Sequence, residues 1–136
     1  MITPHGHLTY CSNIHPGEKW EDHFKSLQEN LPYIRQQLAP GKPFGLGLRI
    51  ANEASLALSK PEVLQAFKNW LHEHDIYVFV INGFPYGDFH NSVVKDQVHT
   101  PDWTTPDRLA YTIRLFRILT DLLPNGPKYS EPSSAI

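Results

Sequence analysis

A few short stretches of the chain carry side chains whose types could do chemistry. His15 stands three residues before Glu18, and a histidine with a nearby carboxylate can serve as an acid–base pair or as two metal ligands. The plainer alternative is a loop histidine that hydrogen-bonds its own turn. His90, beside Asp88, is a second candidate for a ligand or substrate contact. Arg49 ends the stretch Phe44-Gly-Leu-Gly-Leu-Arg49, where a guanidinium must find an anion or a carboxylate, either on a ligand or in a structural ion pair. Asn13 and Asn82 close two other strand-like stretches and could hydrogen-bond the same ligand, or simply begin turns. Phe84 and Tyr86 flank Pro85 and could wall an organic molecule or cover a rim.

The other reactive types read more plainly. His99 is a weaker candidate, and His5 and His7 alternate so that they could clip a metal from one strand face. His23, His72 and His74 read as solvated helix positions, and Trp20, Trp70 and Trp103 as packing residues. Cys11 is the single cysteine; it can make no internal disulfide and no zinc–thiolate site, and its place in a strand predicts a buried, inert thiol. Gly45 and Gly47 lie inside a strand and lack the third glycine and helix of a dinucleotide fingerprint.

These side chains must be held by elements that the patterning makes legible. Residues 7–13 read as a short strand. Trp20, Phe24, Leu27, Leu31, Ile34 and Leu38 step at helical period and predict a helix over 19–39, with Pro32 as a kink. Phe44, Leu46, Leu48 and Ile50 alternate with Gly45, Gly47 and Arg49, predicting a strand with one bulky and one nearly bare face. Residues 51–58 lean helical. Ser59 and Glu62 have capping-box spacing around Pro61, and Val63, Leu64, Phe67, Trp70 and Leu71 form the next buried stripe. The apolar run Ile76–Ile81 has the composition of a strand buried on both faces. A loop to about Thr104 leads to a third main helix, on which Leu109, Ile113, Phe116 and Leu123 form the expected inner face, widened by Leu115, Leu119 and Leu122. Residues 125–136 are polar and proline-rich and read as a disordered tail.

Strand and helix thus alternate three times, which implies α/β architecture with parallel strands, in a doubly wound sheet or a (β/α)₈ barrel. The glycine face of the second strand favours the barrel, since it suits a crowded interior. In either case ligands belong at the C-terminal ends of the strands, where Asn13, Arg49 and Asn82 fall. A chain of 136 residues with net charge −2 fits one domain and has no basic excess for nucleic acid. Its longest apolar run is too short for a membrane span, and the N-terminus has no signal-peptide pattern, so a cytoplasmic setting is expected.

Several motifs together resemble a known family. Tyr10-Cys-Ser-Asn-Ile-His-Pro-Gly-Glu18, Pro43-Phe-Gly-Leu-Gly-Leu-Arg49 and Tyr77-Val-Phe-Val-Ile-Asn-Gly-Phe-Pro-Tyr-Gly-Asp-Phe-His90 occur in order, followed by Val94-Lys-Asp96 and Pro101-Asp-Trp103. Over about residues 7–124 they are similar to the N-terminal part of EboE-type metabolite traffic proteins, TIM-barrel relatives of xylose isomerase and sugar-phosphate isomerases. The resemblance implies a partial (β/α)₈ barrel over 1–124, about three β-α units with parallel strands, cut off from the later ones. It implies handling of a small organic metabolite by the parent, with a sugar isomerase or epimerase dependent on a divalent metal as the enzymatic alternative. In that alternative His90 is the candidate metal ligand, although most metal-binding carboxylates of such relatives come from later strands. A third expectation is a non-functional remnant whose open sheet edges self-associate.

Overall fold

The computed structural model describes residues 1–84, 86 and 99–125. His90 and Asp88 lie outside the described residues, as does the expected tail from residue 126 onward. The chain begins with a small antiparallel hairpin, β1 (Ile2–Thr3) and β2 (Gly6–His7). Strand β3 (Tyr10–Cys11) runs into a 3₁₀ turn at Ser12–Ile14. Helix α1 (Trp20–Leu38), strand β4 (Phe44–Arg49), helices α2 (Asn52–Leu58) and α3 (Pro61–Glu73), strand β5 (Ile76–Asn82) and helix α4 (Pro106–Leu122) follow. Strands β3, β4 and β5 form one parallel sheet in that order. Among the described residues this is a mixed α/β fold with four α-helices and a three-stranded parallel sheet. No described helix is long and apolar enough to cross a membrane.

The bulky face of β4 meets the helices as its alternation requires. Phe44, Leu46 and Leu48 are fully buried in one core with Leu27 and Leu31 of α1, Phe67 and Leu71 of α3, and Tyr111 and Ile118 of α4. The bare face receives the N-terminal segment at backbone range. A Cβ on Gly45 would stand 2.5 Å from the Leu8 carbonyl oxygen and 2.6 Å from the Met1 nitrogen. One on Gly47 would stand 3.1 Å from Thr9 Oγ1. The glycines are there because the N-terminal segment lies across them, and any side chain would lift it off.

Three sequence expectations are corrected by local chemistry. Of the strand expected over 7–13, only Tyr10 and Cys11 join the parallel sheet, while His7 pairs with Ile2 in the N-terminal hairpin. Ser12 Oγ accepts the Arg49 backbone N–H at 2.8 Å, so a side chain takes the acceptor role that the next strand carbonyl would have had. The capping box at Ser59 and Glu62 does not form: Ser59 Oγ donates to the Ser55 carbonyl at 2.6 Å, and Lys60 occupies the cap without a side-chain bond. Pro61 does take the first helical turn. On α4 the buried stripe is Tyr111, Leu115, Ile118 and Leu122, whereas the expected face of Leu109, Ile113, Phe116 and Leu123 is 55, 42, 66 and 44% exposed. The helix is apolar on two opposite sides, so periodicity alone could not choose between them.

A β-bulge changes the phase of β5. Leu46 pairs with Val78 and Gly47 with Val80, leaving Phe79 as an extra residue. Before the bulge Val78 is fully buried in the core; beyond it, Ile81 pairs with Leu48 and Asn82 with Arg49.

Candidate functional site

The ends of β3 and β4 carry a buried polar network. Arg49 Nη2 lies 3.1 Å from Glu18 Oε1, and Nη1 lies 3.5 Å from the Gly17 carbonyl oxygen. The arginine side chain is 3% exposed and the glutamate 24%. The loop that delivers Glu18 crosses the start of α1 very closely. Gly17 has φ +140°, and a Cβ there would meet the His23 backbone at 2.7 Å. His23, expected on a solvated face, is buried for this reason, with Nε2 3.4 Å from Ser12 Oγ. Burial lowers its pKa to about 4, with the charges of Arg49 and His15 adding and the Pro16 carbonyl opposing.

His15 is buried as well, between two hydroxyls. Tyr10 Oη is 3.0 Å from Nε2 and Ser26 Oγ is 3.1 Å from Nδ1. Burial lowers the His15 pKa and raises that of Tyr10, which favours a neutral relay of hydroxyl, imidazole and hydroxyl. Asn13 is exposed on the 3₁₀ turn beside it. Cys11, expected to be buried, is exposed and free.

The end of β5 is built differently. There the strand, the following turn and α4 enclose a hollow of about 250 Å³, lined by Ile81, Gly83, Phe84, Trp103, Arg108, Tyr111, Thr112, Leu115, Phe116 and Leu119. Asn82 Oδ1 accepts the Phe84 N–H at 3.1 Å, which shapes the turn that presents Phe84. On the other side Thr105 caps α4 by accepting the Arg108 N–H at 3.4 Å, and Asp102 Oδ1 accepts the Thr104 N–H at 2.9 Å. These caps hold Trp103 and Arg108 in place. The Arg108 guanidinium lies 5.0 Å from the Trp103 ring centroid and 5.6 Å from that of Tyr111. Its Nη2 donates to the Gly83 carbonyl at 3.3 Å, while Nε is buried without a hydrogen bond. The Tyr111 hydroxyl donates to the Ile50 carbonyl, and burial pushes its pKa up to about 12. Tyr86 meets the Tyr111 ring edge-on, with centroids 5.0 Å apart.

The residues singled out from the sequence therefore fall into two groups. Asn13, His15 and Arg49 belong to the β3–β4 end, and Asn82, Phe84 and Tyr86 to the β5 end; of these only Phe84 lines the hollow. Arg49 has its carboxylate partner within the chain, in Glu18. Sequence reasoning missed Arg108 and Tyr111, whose signal was an arginine and a tyrosine one turn apart at the start of a helix that follows a strand. Trp103, expected to pack like the buried Trp20 and Trp70, is 68% exposed at the rim. Among the described residues no three or more of His, Cys, Asp and Glu come together where they could hold a metal.

A second hollow of about 440 Å³ lies in the helical layer, lined by Ser59 and Leu64 on one side and by α4 residues from Ala110 to Asp121 on the other. The β5–α4 hollow is the better site because it lies at the strand ends and concentrates rings around one guanidinium. It can hold a small, mostly apolar molecule and orient one acceptor group on it. Among the described residues that line it, the phenol of Tyr111 is pushed far up by burial and is not an acid or base for neutral pH. No protein-family model, curated protein or solved structure matches the chain.

Proposed function

We propose that the chain binds a small, largely apolar organic metabolite in the hollow between β5 and α4 and carries it without chemical conversion. The observation behind this reading is the ring-lined hollow with a single guanidinium at the C-terminal end of a parallel strand. That edge is where both barrels and doubly wound sheets take their ligands. The resemblance to EboE-type metabolite traffic proteins points the same way, and the proposal includes their fold: the sheet is the opening portion of a xylose-isomerase-like barrel. It also includes a cytoplasmic setting, which suits the exposed free thiol of Cys11.

The test is titration with 1-anilinonaphthalene-8-sulfonate, an aromatic anion of suitable size, read by its own fluorescence. Saturable binding with one site per chain is expected. Phe84→Ala and Arg108→Gln each weaken it about tenfold, or about 1.4 kcal/mol, without altering the far-UV circular dichroism. Unsaturable binding, or binding indifferent to both substitutions, would overturn the reading.

A further inference from the structure

We infer that the chain pairs with a second copy of itself through the outer face of α4, two helices meeting antiparallel about a twofold axis at Phe116. The inner face of this helix is already occupied by the core, through Tyr111, Leu115, Ile118 and Leu122. The outer face nevertheless carries a second apolar row, Leu109, Ile113, Phe116 and Leu123, spaced by four, three and seven residues. The four residues of the row carry no charge, and the exposed Arg117, one turn beyond Ile113, lies at its edge, where a long side chain can keep its guanidinium in water. Phe116 also lines the β5–α4 hollow, together with Phe84 at 41% and Trp103 at 68% exposure, so the patch continues around the rim.

The area fits a dimer. Exposed aromatics of ~150–250 Å² each, with the three aliphatic side chains, give roughly 600 Å² of apolar surface per chain. That is at the upper limit for a patch on a monomer, and doubled it reaches the ~1,200 Å² at which stable interfaces begin. Symmetry selects the geometry. A twofold interface needs only one self-complementary patch, and the row is centred on its own midpoint. Residues 109 and 123 are equidistant from 116, so antiparallel pairing sets Leu109 against Leu123 of the partner subunit and Phe116 against its own copy. A pair formed in this way roofs the hollow.

Sedimentation velocity across roughly 1–100 μM tests the pairing, since micromolar dissociation corresponds to about 8 kcal/mol. Wild-type chain is expected at twice the monomer mass. Ile113→Asp and Phe116→Asp are each expected to be monomers with unchanged circular dichroism. As an independent measurement, Phe116→Cys in a Cys11→Ser background is expected to form a disulfide-linked dimer on mild oxidation. Gln65→Cys in the same background, exposed on α3, is not. A monomer at the highest concentration would overturn the proposal and assign the face to a different occupant. A dimer insensitive to both aspartates would overturn it in favour of sheet-edge pairing, as would polymers that grow with concentration. A dimer without preferential cross-linking at residue 116 would overturn the twofold geometry.

Discussion

Arg49 and Glu18 offer a sharp test of how the strand ends are held. The guanidinium is almost wholly buried and has Glu18 as its carboxylate partner at 3.1 Å, whereas the glutamate keeps about a quarter of its surface in water. Removing the two partners should therefore have unequal effects. Glu18→Ala removes a carboxylate that faces a buried cation. Breaking a fully buried pair costs about 3–5 kcal/mol, and water access at the glutamate reduces that to about 2–3 kcal/mol. Arg49→Met leaves a carboxylate that can turn to solvent and a side chain that fills most of the same space, for a loss of about 1 kcal/mol. The double substitution should then resemble Arg49→Met alone, with a coupling of about 2–3 kcal/mol between the sites. Urea unfolding at pH 7 with a common m-value measures all four proteins. Additivity within about 0.5 kcal/mol, or a larger loss for Arg49→Met than for Glu18→Ala, would refute the reasoning.

Three further outcomes are expected. His23 titrates at about 4 in the fold and near 6.5 when unfolded, so the unfolded chain holds more protons between these values. Stability should fall as pH drops below 6.5, by roughly 3 kcal/mol at pH 4, with His15 acting in the same sense; His23→Gln should flatten most of the slope, and urea midpoints across that range would show it. Gly17→Ala combines a backbone angle alien to alanine with a contact of 2.7 Å to the His23 backbone, and should lose about 2–4 kcal/mol in thermal or urea melts; a loss below about 1 kcal/mol would contradict that geometry. Tyr111→Phe should lose about 1–2 kcal/mol with the Ile50 carbonyl bond, and in the wild-type protein one phenol should resist ionisation until about pH 12 in an ultraviolet titration.

The parts of the fold that could be read in advance are those where one period has one interpretation. Helix α1 buries Trp20, Leu27 and Leu31 from the expected stripe and leaves only its last member, Leu38, well exposed. Strand β4 buries its bulky side against the helices, and its bare glycines are explained by what crosses them. Legibility fails where a side chain answers to a distant segment. Ser12 ends β3 because the Arg49 amide, thirty-seven residues away, bonds to its hydroxyl. His23 is buried because a loop turns over it at Gly17. The candidate site divides in the same way: Phe84 and the Asn82 turn were visible as a polar and aromatic cluster, but Arg108 and Tyr111 gain their place only from how α4 packs on β5. On α4 itself two apolar faces compete, and only tertiary contacts decide which one turns inward.

The extra residue at Phe79 bears on how this strand can change over generations. On either side of it the β4–β5 ladder is regular, with Leu46 opposite Val78 and Gly47 opposite Val80. Deleting Phe79 would therefore join two correctly paired halves, and every other partner across the ladder would be kept. The residues forfeited would be limited to one ring and its edge-on contact with His7 and stack on Tyr77. Most strands forbid a one-residue deletion because it turns half the side chains inside out. Here the deletion falls where the turning over has already happened, so a length change that is lethal elsewhere in the sheet becomes an accessible evolutionary step.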